Sequence, residues 1–269
     1  MNQTVHFTKM HGAGNDYIYV NTLLYSIPDP SKVAREWSDR HKGIGADGLV
    51  LIGASPLAEA NFSMRMFNAD GSEGEMCGNA ARCVGKYLYE KGLTRETLIR
   101  LYTLAGIKVL RLDVDHGIVR SVTVDMGEPQ MHNEHFFSPS GTLPDGEFVD
   151  MGCPHYVVFA DDVEMAETAG GMLECHRDFP HRCNIDFVKV IDRENIRVRV
   201  WERGSGITMA CGTGACATAV AAAVRGYSGR KVHIHMDGGE IHVEWSRDDN
   251  HIYMTGPAAI VYEGEIQLP

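Results

Sequence analysis

Two cysteines stand in the same local sequence. The first copy reads Met76-Cys77-Gly78-Asn79-Ala80-Ala81-Arg82-Cys83 and the second Ala210-Cys211-Gly212-Thr213-Gly214-Ala215-Cys216. Each runs into small helix-forming residues and reaches a glycine, Gly92 or Gly226, at the same distance. The first turn of a helix has unpaired backbone N–H groups and a partial positive charge. A cysteine placed there is expected to have a depressed pKa and to be more readily a thiolate. The N–H groups of Gly78, Asn79, Gly212 and Thr213 are suited to holding a carboxylate. Glycine beside each cysteine lets a ligand approach the backbone closely. If the two helix starts meet, one thiolate removes an α-proton and the other thiol delivers a proton to the opposite face. That inverts a stereocentre without a cofactor, the helix ends stabilising the enediolate-like charge. The plainer reading of a cysteine is a small hydrophobe that fills space. It suits Cys83 and Cys216, which lie further into their helices. Position, neighbouring glycine and repetition together set Cys77 and Cys211 apart.

The elements that must position these residues are also repeated. An offset of 134 joins Cys77 to Cys211, and it also pairs Phe67-Asn68 with Trp201-Glu202. Further upstream the reading gives an offset of 139, with Asp47-Gly48-Leu49-Val50 against Asp186-Phe187-Val188-Lys189 and Asp16-Tyr17 against His155-Tyr156. A duplication of this period predicts two similar domains. Period-two alternation marks strands around 5–10, 17–20, 63–67, 99–102, 108–114, 119–126, 148–159 and 195–201. A hairpin is expected over 232–245, and closing strands at 252–254 and 259–266. Asp29-Pro30-Ser31 caps a helix to about residue 41, and a short acidic helix is expected over 163–169. Gly43-Ile44-Gly45-Ala46-Asp47-Gly48 has the spacing of a dinucleotide fingerprint, but it follows a helix and opens an apolar run, so it reads as a helix-to-strand turn. Residues 131–147 read as a loop peculiar to the second half. Most connections are too short for a helical crossover. The fold class is therefore α+β: two pseudo-symmetric domains, each a curled, mostly antiparallel or mixed sheet around a central helix, with the active site in the cleft between them. The expected boundaries are 1–122 with 257–269 for the Cys77 domain, and 123–256 for the Cys211 domain.

Composition narrows the function. The chain has 269 residues, 44% of them apolar, and a formal net charge of −11. That acidity argues against nucleic acid or an anionic membrane as the main partner. Met1 to His6 lacks a cationic segment followed by an apolar run, so no signal peptide is read, and no window has the length of a membrane span. Seven cysteines, an odd number, fit a reducing cytoplasm with free, catalytic or metal-binding thiols.

With these residues in place, the chain resembles the diaminopimelate epimerase family. The resemblance rests on Met10-His11-Gly12-Ala13-Gly14-Asn15-Asp16, Phe67-Asn68-Ala69-Asp70-Gly71-Ser72, Cys77-Gly78-Asn79, Arg82-Cys83, Glu202-Arg203-Gly204 and Ala210-Cys211-Gly212-Thr213-Gly214-Ala215. It runs from Phe7 to about Tyr262. It implies interconversion of LL- and meso-diaminopimelate, two domains and no cofactor or metal. By match it implies Cys77 and Cys211 as the acid/bases, with His155 and Glu202 supporting the thiols. Asn15, Asn68, Asn184, Glu202 and Arg203 match substrate-binding positions, and Gly78-Asn79 with Gly212-Thr213 match the carboxylate cradle. It also implies a homodimer, with Tyr262 as a contact. A distal amino-acid head group needs a carboxylate for its ammonium and a fork for its carboxylate, which Glu202 and Arg203 can supply. Read alone, Glu202-Arg203 is equally an exposed charged turn and His155 equally a core histidine. Two positions depart from the family: Gly48 stands where it has glutamine and Cys153 where it has asparagine.

Two other readings compete. One is another two-thiol racemase of the proline racemase type, which would not need the distal set Asn68, Asn184, Glu202 and Arg203. The other is a zinc or redox protein, using Cys175, His176, His181 and Cys183 as ligands or pairing Cys77 with Cys83. Those ligand spacings match no common closed zinc site, and no C-x-x-C motif is present.

Overall fold

The computed structural model describes residues 3–269; residues 1 and 2, the start of the N-terminal stretch read above, lie outside it. The chain divides into two compact units, Met1–Val124 with Gly256–Pro269, and Asp125–Thr255. No helix among the described residues is long and apolar enough to cross a membrane.

The first unit contains β1 (Thr4–Gly12), β2 (Asn15–Asn21), α1 (Pro30–Ser38), β3 (Gly48–Ala54), β4 (Phe62–Asn68), β5 (Glu73–Gly74), α2 (Gly78–Glu90), β6 (Leu98–Thr103) and β7 (Gly106–Asp115). It also holds most of β8 (Ile118–Gly127). In the second unit come β9 (Gly146–Asp150), β10 (Pro154–Phe159), α3 (Met165–Glu174), β11 (Asn184–Val190), β12 (Asn195–Glu202), β13 (Gly206–Ile207), α4 (Gly212–Val224), β14 (Lys231–Met236), β15 (Gly239–Trp245) and β16 (Ile252–Gly256). The last strand, β17 (Ala259–Gln267), returns to pair antiparallel with β1.

The two units share one pattern of strand directions. From β1 the first runs antiparallel to β2, parallel to β3, antiparallel to β4, parallel to β6 and antiparallel to β7. From β9 the second gives the same sequence through β10, β11, β12, β14 and β15. Most connections are short, as expected. The two parallel steps in each unit are the exceptions, since parallel neighbours need a crossover and here it is helical. α2 packs on β1, β2 and β7, and α4 on β9, β10, β11, β12, β14 and β15. Strands on several sides of one helix give each sheet its curl. α4 is buried almost all round and carries six alanines, small enough for strands to close on every face. α1 and α3 cover other apolar surfaces. Trp37 and Val33 pack with Ile18, Leu49 and Phe67, while Ala166 and Leu173 pack with Tyr156, Ile185 and Phe187.

Strand register corrects the upstream offset. Tyr17 faces Gly48, and Gly48 faces Asn68. In the second unit His155 faces Asn184, and Ile185 faces Trp201, which sets Asn184 opposite Glu202. Matching Asn68 to Glu202 thus matches Gly48 to Asn184, Tyr17 to His155 and Asn15 to Cys153. The offset falls from 138 to 136 to 134 in steps of two. An offset of 139 would turn each strand's side chains to the opposite face.

The expected helix at 163–169 runs on to Glu174. Its Gly170 and Gly171 look like a break, but the Trp201 side chain packs against them, and a Cβ on Gly170 would lie 2.6 Å from the Trp201 Cβ. The fingerprint-like glycines form the expected turn, with the Gly43 amide on Asp39 and the Gly45 amide on Trp37 carbonyls. Residues 131–145 are irregular yet anchored. Phe137 stacks on Phe148 at 5.0 Å, and the Ser140 hydroxyl donates to Asp178.

Candidate active site

Both repeated helices begin in the same way. Cys77 and Cys211 are the N-cap residues of α2 and α4, in extended conformation, and neither side chain caps its helix. Each helix has 13 residues. Each ends in a left-handed glycine, Gly92 or Gly226, with the next amide reaching back to Leu88 or Ala222. This is the Schellman stop, and it explains the matched glycines.

In the first unit a polar chain leads to Cys77. Its half-buried thiol donates to Asn15 Oδ1 at 3.5 Å. Asn15 cannot rotate freely, because its amide donates to Asp47 at 2.8 Å while Asn79 donates to its oxygen at 3.4 Å. Asn79 in turn accepts from Arg82, a fully buried guanidinium that also reaches the Pro257 carbonyl. Asp47 also takes the Asp16 amide and pairs with Arg40, which bridges to Asp16. Burial pushes the Asp47 carboxyl up. Asp16 is held below its usual range: burial opposes this, but Arg40 and Lys9 prevail. Gly78 opens α2 beside the thiol. Asn68 donates to Ser72 at 3.0 Å.

In the second unit the hub is the Thr213 hydroxyl. It lies 3.4 Å from Cys211 Sγ, 3.3 Å from Cys153 Sγ and 3.0 Å from His155 Nε2. The other ring nitrogen of His155 meets Asp186 at 2.9 Å, and both side chains are fully buried. Burial pulls His155 down, but the Asp186 charge beside it lifts it well above the ordinary imidazole range. Glu202 accepts from Thr208 at 2.6 Å and from the Cys211 thiol, and burial raises its carboxyl. Gly212 opens α4, and Gly214 gives the first turn room against Val200 and Asp186. Asn184 is held at both ends by backbone, donating to the Pro154 carbonyl and accepting from the Arg203 amide, each at 2.8 Å. The Arg203 side chain is exposed and donates to the His181 carbonyl.

The expectation of a depressed thiol fails at Cys211. Its pKa is pushed well above the ordinary thiol value, first by burial and then by the nearby Glu202 carboxylate. At rest Cys211 is therefore a protonated thiol. Cys83 is also pushed up, to about 11, by full burial, which matches a packing role.

Thus Asn15, Cys77, Gly78 and Asn79 come together in one unit, and His155, Glu202, Cys211, Gly212 and Thr213 in the other. Three participants escaped sequence reading: Asp186, Arg82 and the Thr213 hydroxyl. Asp186 had a signal, for it is a charge between Ile185 and Phe187, and its register counterpart is the buried Val50. The family-departing Gly48 admits no side chain as placed, since a Cβ there would lie 2.1 Å from the Phe67 carbonyl oxygen. The zinc reading is not supported. Cys183 is buried in the core while Cys175 is exposed, and no group of three or more His, Cys, Asp or Glu among the described residues is arranged around a metal position.

The family described as diaminopimelate epimerase matches residues 7–132 and 147–261. The chain is 55% identical to a diaminopimelate epimerase of Phocaeicola vulgatus, with all of both chains covered. It is 54% identical to one of Bacteroides thetaiotaomicron, over 99% of this chain and 100% of that one. A solved hydroxyproline epimerase from Agrobacterium vitis, with bound trans-4-hydroxy-L-proline, superposes with a TM-score of 0.73. It covers 100% of this chain and 94% of its own, at 17% identity, a likeness of fold alone.

Proposed function

The chain belongs to the diaminopimelate epimerase family, and on that premise we propose that it interconverts LL- and meso-diaminopimelate by two-base proton transfer at the α-carbon. The observation that carries the reading is the repeated one: a cysteine at the N-cap of an equal helix in each unit. Cys77 and Cys211 act on opposite faces of the α-carbon. The backbone of Gly78-Asn79 and Gly212-Thr213 holds the reacting carboxylate, where helix-end charge favours the enediolate-like state.

In one direction Cys211, protonated at rest, is the donor, and Cys77, once its proton has passed to solvent, is the thiolate base. Asn15, fixed by Asp47 and Asn79, aims the Cys77 thiol through its oxygen. In the other direction Cys211 must first lose its proton. Glu202, which accepts from that thiol, is placed to take it. His155 sits one hydroxyl away, and its Asp186-held positive charge favours negative charge near Thr213. Asn15, Asn68, Asn184, Glu202 and Arg203 bind the substrate. The distal head group is recognised by Glu202 and the exposed fork of Arg203.

No cofactor enters this scheme. We place the reaction in the cytoplasm. The active form is a homodimer through β17, where Val261 and Tyr262 are exposed on a strand that pairs with β1. The domains that carry the two bases are taken as 1–122 with 257–269, and 123–256. Incubation of reduced protein with LL-diaminopimelate alone, followed by chiral chromatography, tests the reading. The meso isomer is expected to appear. Folded, reduced protein that forms none, or that racemises proline instead, would overturn it.

A further inference from the structure

Cys153 is placed for chemistry that the epimerisation scheme does not use. Its sulfur lies 3.4 Å from His155 Nε2, and the opposite ring nitrogen of His155 lies 2.9 Å from Asp186. Thiol, imidazole and carboxylate thus stand in line, the arrangement that activates a cysteine as a nucleophile. With Nδ1–H directed at Asp186, the Nε2–H of the protonated ring faces the Cys153 sulfur. The Thr213 hydroxyl, 3.3 Å from the same sulfur, gives the resulting thiolate a second polar neighbour. His155 and Asp186 are fully buried, whereas Cys153 itself is partly exposed beside the exposed Gly152. The His155 ring also carries a pKa raised by Asp186, as a partner to a thiolate requires.

We infer that Cys153 is a third reactive thiol, a modification site that exchanges with low-molecular-weight disulfides through the His155–Asp186 pair. In the step, Cys153 gives up its proton to solvent, and the thiolate is paired with the protonated His155 ring. The thiolate then attacks one sulfur of the disulfide, a new S–S bond forms to Cys153, and the other half leaves as a thiolate that takes up a proton from solvent. One disulfide is lost and one gained, so no further oxidant is required.

Cys175 provides an internal standard, being exposed at the end of α3. If access alone governed reactivity, Cys175 would react first. The reduced full chain, freed of reductant, is incubated with oxidised glutathione at neutral pH and stopped at low conversion. Peptide mapping then measures the adduct at each cysteine. Cys153 is expected to lead Cys175 by about tenfold or more, and Asp186→Asn to abolish that lead. Equal modification, or Cys175 first, in the unaltered protein would overturn the inference, and this comparison stands even if the variant fails to fold. A folded Asp186→Asn protein that keeps the full lead would also overturn it.

Discussion

At Cys211 two opposing effects meet, and burial wins. The helix end favours a thiolate, but its influence is worth at most about 2 kcal/mol even when partly buried. Desolvation and the Glu202 carboxylate together outweigh it. Local sequence shows the helix end and not the burial, so the cysteine and its glycine alone point to the wrong sign. Asp186 makes the same point in reverse. It occupies a position whose counterpart, Val50, is core, and it is stable there only because His155 answers it. Removing one member of a buried pair leaves the other uncompensated, at a cost of about 3 kcal/mol or more. Asp186→Asn should therefore lower the unfolding free energy by about that amount in urea titrations. The pH dependence has a definite sign. His155 is raised in the folded state, so its stabilisation is complete below the ordinary histidine value of 6.5 and is lost as pH rises through the higher folded value. The gap between wild type and Asp186→Asn should be widest at pH 6 and narrow in alkali. A constant gap across that range would show that the pair is not charged.

The helices are where sequence and structure agree most closely. Cys77 to Gly92 and Cys211 to Gly226 are equal spans because each runs from an N-cap cysteine to a Schellman glycine, and both signals are local. Strand register is not local. Asp47 and Asp186 invite a match by residue type, yet the pairing of β3 with β4 and β11 with β12 sets Gly48 against Asn184 instead. α3 outran its expected end for a related reason: Gly170 and Gly171 exist to admit the ring of Trp201, a residue on another element. The two kinds of glycine should respond differently to alanine. Gly226→Ala meets no atom within 4 Å but forces a left-handed residue, φ 71°, costing about 1 kcal/mol. Gly170→Ala drives a methyl into Trp201 and should cost about 2 kcal/mol, with displaced packing. Thermal unfolding of the two variants checks the order, and an equal loss in both would contradict it.

For the whole molecule, the duplication explains why one chain offers two cysteine-headed helices on matching sheets. It does not explain β17, where Val261 and Tyr262 are exposed. A bare edge strand is a ready surface for a second chain. Sedimentation should show a dimer, and Tyr262→Ala should raise the dissociation constant by about tenfold or more, about 1.4 kcal/mol. A wild-type monomer at micromolar concentration would contradict that assignment. The central claim is narrower and concerns two bases acting as a unit. Cys77→Ala and Cys211→Ala, each folded and reduced, are incubated with LL- and with meso-diaminopimelate, and the products are resolved by chiral chromatography. Each variant should lose inversion in both directions by several orders of magnitude, since neither thiol can replace the other on the opposite face. Substantial inversion by either single variant would contradict the two-thiol mechanism.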